Sequence, residues 1–165
     1  MSANVSTVRR AAVVTSVLLY LASFSLPAIL FRSVTQHGGK YVPSGGTQVY
    51  FGSNMALASV FGPLCFNFAG LANPFWLIGS YLFLTNKLRP ARICLAIAAL
   101  LALQTFQLLI QPLPYDEGEV VQGILVHPLI GWYAWLTALL LPLLCSFLPG
   151  ITGRRKPRAS GTLPT

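Results

Sequence analysis

The sequence predicts an all-α integral membrane protein, a four-helix bundle with an interfacial helix before the second span. Two observations lead to this prediction. Hydrophobic residues make up 55% of the chain and charged residues only 8%, whereas a soluble domain carries about 25% charged residues. The stretches 41–86 and 120–153 contain no Asp, Glu, Lys or Arg. Water-soluble folds cannot spare that much polar surface.

The first predicted span, 11–31, is an uncharged apolar run that follows Arg9 and Arg10. A helix of this length measures about 31 Å, which matches the hydrocarbon core of a bilayer. Pro27 is expected to kink its outer end. A cleaved secretory signal is the alternative, because two arginines, an apolar stretch and small residues around 22–28 have the same layout.

The region after the first span combines a loop with a short helix. Gly, Pro and polar residues fill 32–52, which predicts irregular structure on the outer side. The apolar residues of 54–64 recur at helical spacing and continue into the next span, which favours a helix lying in the outer interface. A fifth crossing here is the alternative, but it would move the basic residues of 86–92 to the opposite side of the membrane.

Three further spans are predicted at 66–85, 93–110 and 128–148. The basic segment between the second and third spans and the acidic loop between the third and fourth then lie on opposite sides. These spans complete a transmembrane domain over 1–152. The remaining residues, 153–165, are basic and then rich in Pro, Ser, Thr and Gly, which is typical of a disordered tail.

Nine of the eleven Lys and Arg residues fall on one side of this arrangement, and all three acidic residues fall on the other. Cytoplasmic loops carry such an excess of positive charge, so both termini are predicted to be cytoplasmic. The nine cations are candidate topology anchors and lipid-headgroup contacts, and their position beside the spans argues against a nucleic-acid partner. They are Arg9, Arg10, Lys87, Arg89, Arg92, Arg154, Arg155, Lys156 and Arg158.

Inside the membrane the candidate site is polar and uncharged. Counting depth along the spans places Asn73 near Gln104, and Asn67 near Gln107 or Gln111. Amides there can hydrogen-bond between helices and fix their register, or they can line a small cavity for a neutral or zwitterionic ligand. Because ionisable groups usually mark ion pathways and none lies within a span, packing is the favoured interpretation.

The remaining reactive residues do not predict an enzyme, a cofactor or a metal site. His127 could meet the acidic residues of the loop before it in a weak metal site or an acid–base pair, but the spacing fits no motif. The three cysteines lack a C-x-x-C spacing and are interpreted as small buried hydrophobes. The acidic residues are Asp116, Glu117 and Glu119, and the cysteines are Cys65, Cys94 and Cys145.

Three short segments carry a resemblance. The stretch 68–76, which reads Phe-Ala-Gly-Leu-Ala-Asn-Pro-Phe-Trp, the basic hinge 86–92 and the stretch 131–136 together resemble small bacterial four-span membrane proteins of unknown function. The resemblance implies a bacterial cytoplasmic (inner) membrane and no particular activity.

Two functions follow from these observations. The first is a non-enzymatic interaction or accessory subunit that docks on another membrane protein or associates with itself. The alternative is an oligomeric transporter or pore for a small neutral or zwitterionic solute, acting through the region of Asn73 and Gln104. Both place the lipid bilayer as the first partner of the chain.

Overall fold

The computed structural model describes residues 5–37, 40–61, 63, 66–110, 113–114 and 122–148. The helices in this part of the chain are α1 (Val5–Ser25), α2 (Gly52–Phe61), α3 (Ala72–Leu84), α4 (Leu88–Leu103) and α5 (Ile130–Ser146). The strands are β1 (Pro27–His37), β2 (Lys40–Phe51), β3 (Leu113–Pro114) and β4 (Gln122–Pro128). Short 3-10 helices at Ala69–Leu71 and Gln104–Leu109 precede α3 and follow α4, respectively.

The four strands form one antiparallel sheet in the order β2-β1-β4-β3. The prediction of an all-α bundle is therefore wrong. β1 and β2 form a long hairpin, and β4, which comes just before α5, pairs with the other side of β1. The two-residue strand β3 pairs with β4 at the edge. The protein has a mixed architecture of helices and sheet.

The first helix ends before Pro27, which begins a strand instead of kinking the helix. Proline has no N–H, and its ring clashes with the carbonyl group four residues earlier. Helix α1 therefore stops at Ser25, and the chain turns into β1. Ile29 and Phe31, predicted to lie in the first span, are buried in the sheet beside Leu125. A continuous apolar run has no periodicity that distinguishes a strand from a helix.

The predicted spans 66–85, 93–110 and 128–148 overlap with α3, with α4 and its 3-10 extension, and with α5. On the side of the sheet, a 3-10 turn precedes α3 and strand β4 precedes α5, and at the other end α4 begins at Leu88, inside the predicted basic hinge 86–92. Helix α2 covers most of the region 54–64, which was predicted to be helical. The predicted tail, 153–165, lies outside the described residues.

Helices α1, α3, α4 and α5 pack against one another, with α1 beside α5 and α3 beside α4. Small side chains allow the close approach: Ala72, Ala98 and Ala102 are fully buried in the main core cluster. On α3, a Cβ atom added to Gly79 would lie 2.7 Å from Cγ of Leu95 on α4. Only glycine therefore fits at this contact without a shift of its neighbour.

The sheet packs on one end of these helices, which we call the sheet end. Its contact surface is a buried cluster that combines side chains of β1 and β4 with Leu108 of the 3-10 helix after α4. The strands thus continue the apolar core beyond the ends of the helices. Because β1 follows α1 directly and β4 leads into α5, the sheet holds these two neighbouring helices together.

At the opposite end, which we call the basic end, α3 turns back into α4. Asn86 takes a left-handed conformation with φ of 65°. The N–H of Lys87 donates to the carbonyl of Leu82 at 2.9 Å, and the N–H of Asn86 donates to that of Phe83 at 3.3 Å. These two bonds form a Schellman cap, in which asparagine is a frequent substitute for glycine.

Candidate functional site

A buried hydrogen-bond cluster joins α1, α3 and α5 in the interior. Nε1 of Trp76 donates to Oγ of Ser16 at 3.0 Å and to the carbonyl of Ala138 at 3.1 Å. The Ser16 hydroxyl also donates to the Ala138 carbonyl, at 2.6 Å. The ring of Tyr20 stacks on Trp76 with centroids 4.6 Å apart. Neither Ser16 nor Trp76 was among the predicted site residues.

A signal for Ser16 was present in the sequence. Ala12, Ser16 and Ser23 are all buried on α1, and spacings of four and seven residues put them on one helix face. A stripe of small residues among large apolar ones marks the face on which a helix approaches its neighbours closely. The stripe therefore indicates where a hydroxyl can meet another helix.

Gln104 fastens the irregular segment before α3 to the end of α4. Its Oε1 accepts from the N–H of Phe68 at 2.9 Å, and its Nε2 donates to the carbonyl of Phe66 at 2.9 Å and to Oε1 of Gln107 at 3.1 Å. Asn67 lies within this segment and accepts from the N–H of Ala69 at 3.1 Å. The structure thus brings Gln104, Gln107 and the segment of Asn67 together.

Asn73, the fourth predicted residue of the polar cluster, is bonded on a different side. Its Oδ1 accepts from Nε1 of Trp135 on α5 at 2.9 Å. The amide therefore links α3 to α5, while Gln104 links α4 to the segment before α3. Hydrogen bonds of this kind between helices contribute about 0.6–2 kcal/mol each in a membrane, and together they hold the helices in register.

Two of the predicted cationic anchors make specific contacts at the basic end. Nη1 of Arg9 donates to Oδ1 of Asn86 at 2.6 Å, and its guanidinium lies 5.8 Å from the ring centroid of Phe83. Nε of Arg92 donates to Oγ of Ser146 at 3.3 Å, and its guanidinium lies 4.6 Å from the ring centroid of Phe147. These contacts place the starts of α1 and α4 and the end of α5 at the same end.

The other predicted anchors are of two kinds. Arg10, Lys87 and Arg89 are exposed at the basic end. The four cations of the tail lie outside the described residues, but they follow α5, whose last turn is bound by Arg92.

The residues considered for chemistry on the outer side are not brought together in the described part of the chain. His127 is exposed on β4, and its Nδ1 lies 3.4 Å from the carbonyl of Pro128. The three acidic residues lie outside the described residues, as does Cys65. Cys94 and Cys145 are half-buried free thiols.

The outward faces of the packed helices carry large apolar side chains. Leu18 on α1 is 62% exposed and Leu100 on α4 is 69% exposed. Two helices, Val5–Ser25 and Leu88–Leu109, are long and apolar enough to cross a membrane, while Ala69–Leu84 and Ile130–Ser146 are apolar but shorter. Only 22% and 28% of the apolar windows of the two long helices are buried.

No protein-family model, curated protein or solved structure matches this chain. The geometry defines its class: a mixed helix-and-sheet protein with two helices that can cross a membrane by length and composition. Its interior is held by hydrogen bonds between neutral side chains and backbone, and the described cations gather mainly at one end.

Proposed function

We propose that the protein is a multi-pass protein of a bacterial cytoplasmic membrane, in which α1, α3, α4 and α5 cross the bilayer. The observation that carries this proposal is the apolar exterior of all four helices. Large hydrophobic side chains are exposed on each of them, whereas soluble monomeric proteins rarely expose large contiguous apolar patches. The exposed residues include Leu18, Leu77, Leu100 and Leu144.

The long apolar helices fit a soluble core or a cleaved signal less well than they fit membrane spans. A core helix of a soluble protein is mostly buried, whereas less than a third of each long helix is buried here. A cleaved signal leaves the protein, whereas α1 packs along α5 and its Ser16 bonds to the backbone of Ala138. Removing α1 would leave Trp76 without one of its two acceptors.

The distribution of charge supports an orientation with both termini in the cytoplasm. The basic end carries Arg9, Arg10, Lys87, Arg89 and Arg92, and the tail cations follow it in the sequence. Positive charge beside membrane spans is retained on the cytoplasmic side. In this orientation the sheet lies outside the cytoplasm.

We further propose that the protein is a non-enzymatic accessory subunit that binds another membrane protein through the sheet. Strand β2 lies at the edge, and among the described residues only β1 pairs with it. The strand is twelve residues long and its residues 42–49 are exposed. On either side of Pro43 and the irregular pairing at 44–46, the edge offers backbone N–H and C=O groups to an extended segment of a partner.

Photo-crosslinking tests this function. A photoreactive amino acid placed at Val49, on the edge strand, is expected to capture one discrete polypeptide in native membranes. The matched control is the same group at Leu144, an exposed apolar position on α5, which is expected to capture lipid alone. Capture of a second copy of this chain at Val49, or of the same polypeptide at both positions, contradicts docking of a partner through β2.

A further inference from the structure

The five described cations of the basic end fall into two groups. Arg9 and Arg92 are engaged by the protein, through Asn86, Ser146 and the rings of Phe83 and Phe147. Arg10, Lys87 and Arg89 are exposed, and no described residue forms an ion pair with them. The first group holds helices together, and the second presents positive charge to the surroundings.

The three exposed cations belong to one surface. Arg9 bonds to Asn86, and each of these residues is followed directly by a cation, Arg10 on α1 and Lys87 before α4. Arg89 lies in the first turn of α4. The contact between Arg9 and Asn86 therefore brings the start of α1 next to the turn before α4, so that all three exposed cations lie at the basic end.

No Asp or Glu lies among the described residues, and the three acidic residues of the chain come between β3 and β4 in the sequence. The sheet is separated from the basic end by the length of α4, whose sixteen residues measure about 24 Å. The described part of the chain therefore leaves the charge of this surface open to an anionic partner.

An apolar exterior borders the three cations. Leu84 at the end of α3, Ile93 in the second turn of α4 and Phe147 after α5 are all exposed. Positive charge directly beside apolar surface matches the two parts of a phospholipid, in which an anionic phosphate sits above its acyl chains. A soluble anion would contact only the cations and leave the apolar side chains exposed. An acidic protein would need a surface that complements both the cations and the apolar side chains.

We propose that Arg10, Lys87 and Arg89 bind the headgroups of anionic phospholipids at the cytoplasmic surface, while Arg9 and Arg92 serve to position the helices. This inference rests on the proposed membrane location. Basic residues beside a membrane each favour anionic lipid by roughly fivefold, so that three of them amount to a preference on the order of 100-fold.

The test uses the full-length protein in a mild detergent, titrated with phosphatidylglycerol or phosphatidylcholine and read by native mass spectrometry. The Arg10→Gln/Lys87→Gln/Arg89→Gln variant is expected to lose most of the preference for phosphatidylglycerol while keeping its melting temperature. The control variant Arg32→Gln/Lys40→Gln, with two exposed cations of β1 and β2, is expected to keep the preference. Arg92→Gln is expected to lower the melting temperature in both lipids.

Three results overturn the inference. The first is that the triple variant binds phosphatidylglycerol as the native protein does. The second is that the control variant loses as much preference for phosphatidylglycerol as the triple variant, and the third is that inorganic phosphate displaces the lipid. A fourth result comes from chemical labelling of the Lys87 amine in native membranes. If a bound polypeptide still protects this amine from the reagent after the lipids have been exchanged, the surface is a contact with protein and the inference is wrong. If alkaline treatment extracts the native chain from membranes, the membrane location is wrong and the lipid inference falls with it. If the chain is retained but shows no lipid preference, only the lipid inference is wrong.

Discussion

At the scale of residues, hydrogen bonds between uncharged groups join the helices in the described interior. Trp76 is the central donor, because its indole N–H reaches both the hydroxyl of Ser16 and the carbonyl of Ala138. In an apolar environment an unpaired N–H is costly, and sharing two acceptors keeps it satisfied when either moves slightly. The tryptophan thereby fixes the relative position of three helices.

Replacing Trp76 with Phe is expected to destabilise the protein by about 2 kcal/mol, since it removes the hydrogen bonds and part of the stacking on Tyr20. Ser16→Ala should cost about half as much, because Trp76 retains the Ala138 carbonyl. Denaturation in detergent, followed by circular dichroism, measures both. Tyr81→Phe, at an exposed position of the same helix, is the control. If the Trp76→Phe, Ser16→Ala and Tyr81→Phe variants have the same melting temperature, the hydrogen-bond cluster does not stabilise the protein.

The residues of the polar cluster show what the sequence could predict at this scale. That Gln104 and Gln107 share one helix face follows from their spacing, and the structure bonds them at 3.1 Å. The predicted neighbour of Gln104 was Asn73, but Gln104 bonds to the backbone of the segment before α3, and Asn73 meets Trp135. Depth was counted along a second span that starts at residue 66, whereas α3 begins at Ala72 after a 3-10 turn.

At the scale of elements, the sequence located the apolar helices but missed the sheet. Pro27–Phe31 is as apolar as a membrane span, and 122–128 lies between an acidic loop and an apolar run. Neither segment shows a strict alternation of apolar and polar residues, the pattern by which a half-buried strand is recognised. Strands of this kind gain their structure from pairing partners distant in the chain, which local patterns do not reveal.

The pairing of α3 with α4 depends on the absence of a side chain at Gly79. Gly79→Ala places a methyl group 2.7 Å from Cγ of Leu95, and overpacking of this kind costs about 1–3 kcal/mol. We therefore expect a lower melting temperature. Gly46→Ala on β2 is the matched control, because a Cβ there meets nothing within 4 Å. An unchanged melting temperature for Gly79→Ala would mean that α3 and α4 are packed less closely than the structure has them.

At the scale of the whole molecule, the two ends differ in both structure and charge. The sheet end carries the strands, and the basic end carries the α3–α4 turn with most of the described cations. An asymmetric molecule of this kind has one favoured orientation in a membrane with a negative cytoplasmic leaflet. The position of any single exposed residue then reports the orientation of the entire chain.

Cysteine labelling tests that orientation in a variant whose three native cysteines are replaced by serine. We expect Ser44→Cys, at an exposed position of β2, to react with a membrane-impermeant maleimide in intact spheroplasts, because the proposed orientation turns the sheet end outward. Thr165→Cys should react only after permeabilisation, since the tail follows the basic end. Labelling of Thr165→Cys alone from outside would mean that the orientation is the opposite of the proposed one. Labelling of both sites from outside would mean that α5 does not cross the membrane. Arg92 binds the last turn of α5 to the start of α4, so the start of α4 and the tail after α5 are expected on the same side of the membrane. The Arg89→Cys variant should therefore react only after permeabilisation, as Thr165→Cys does.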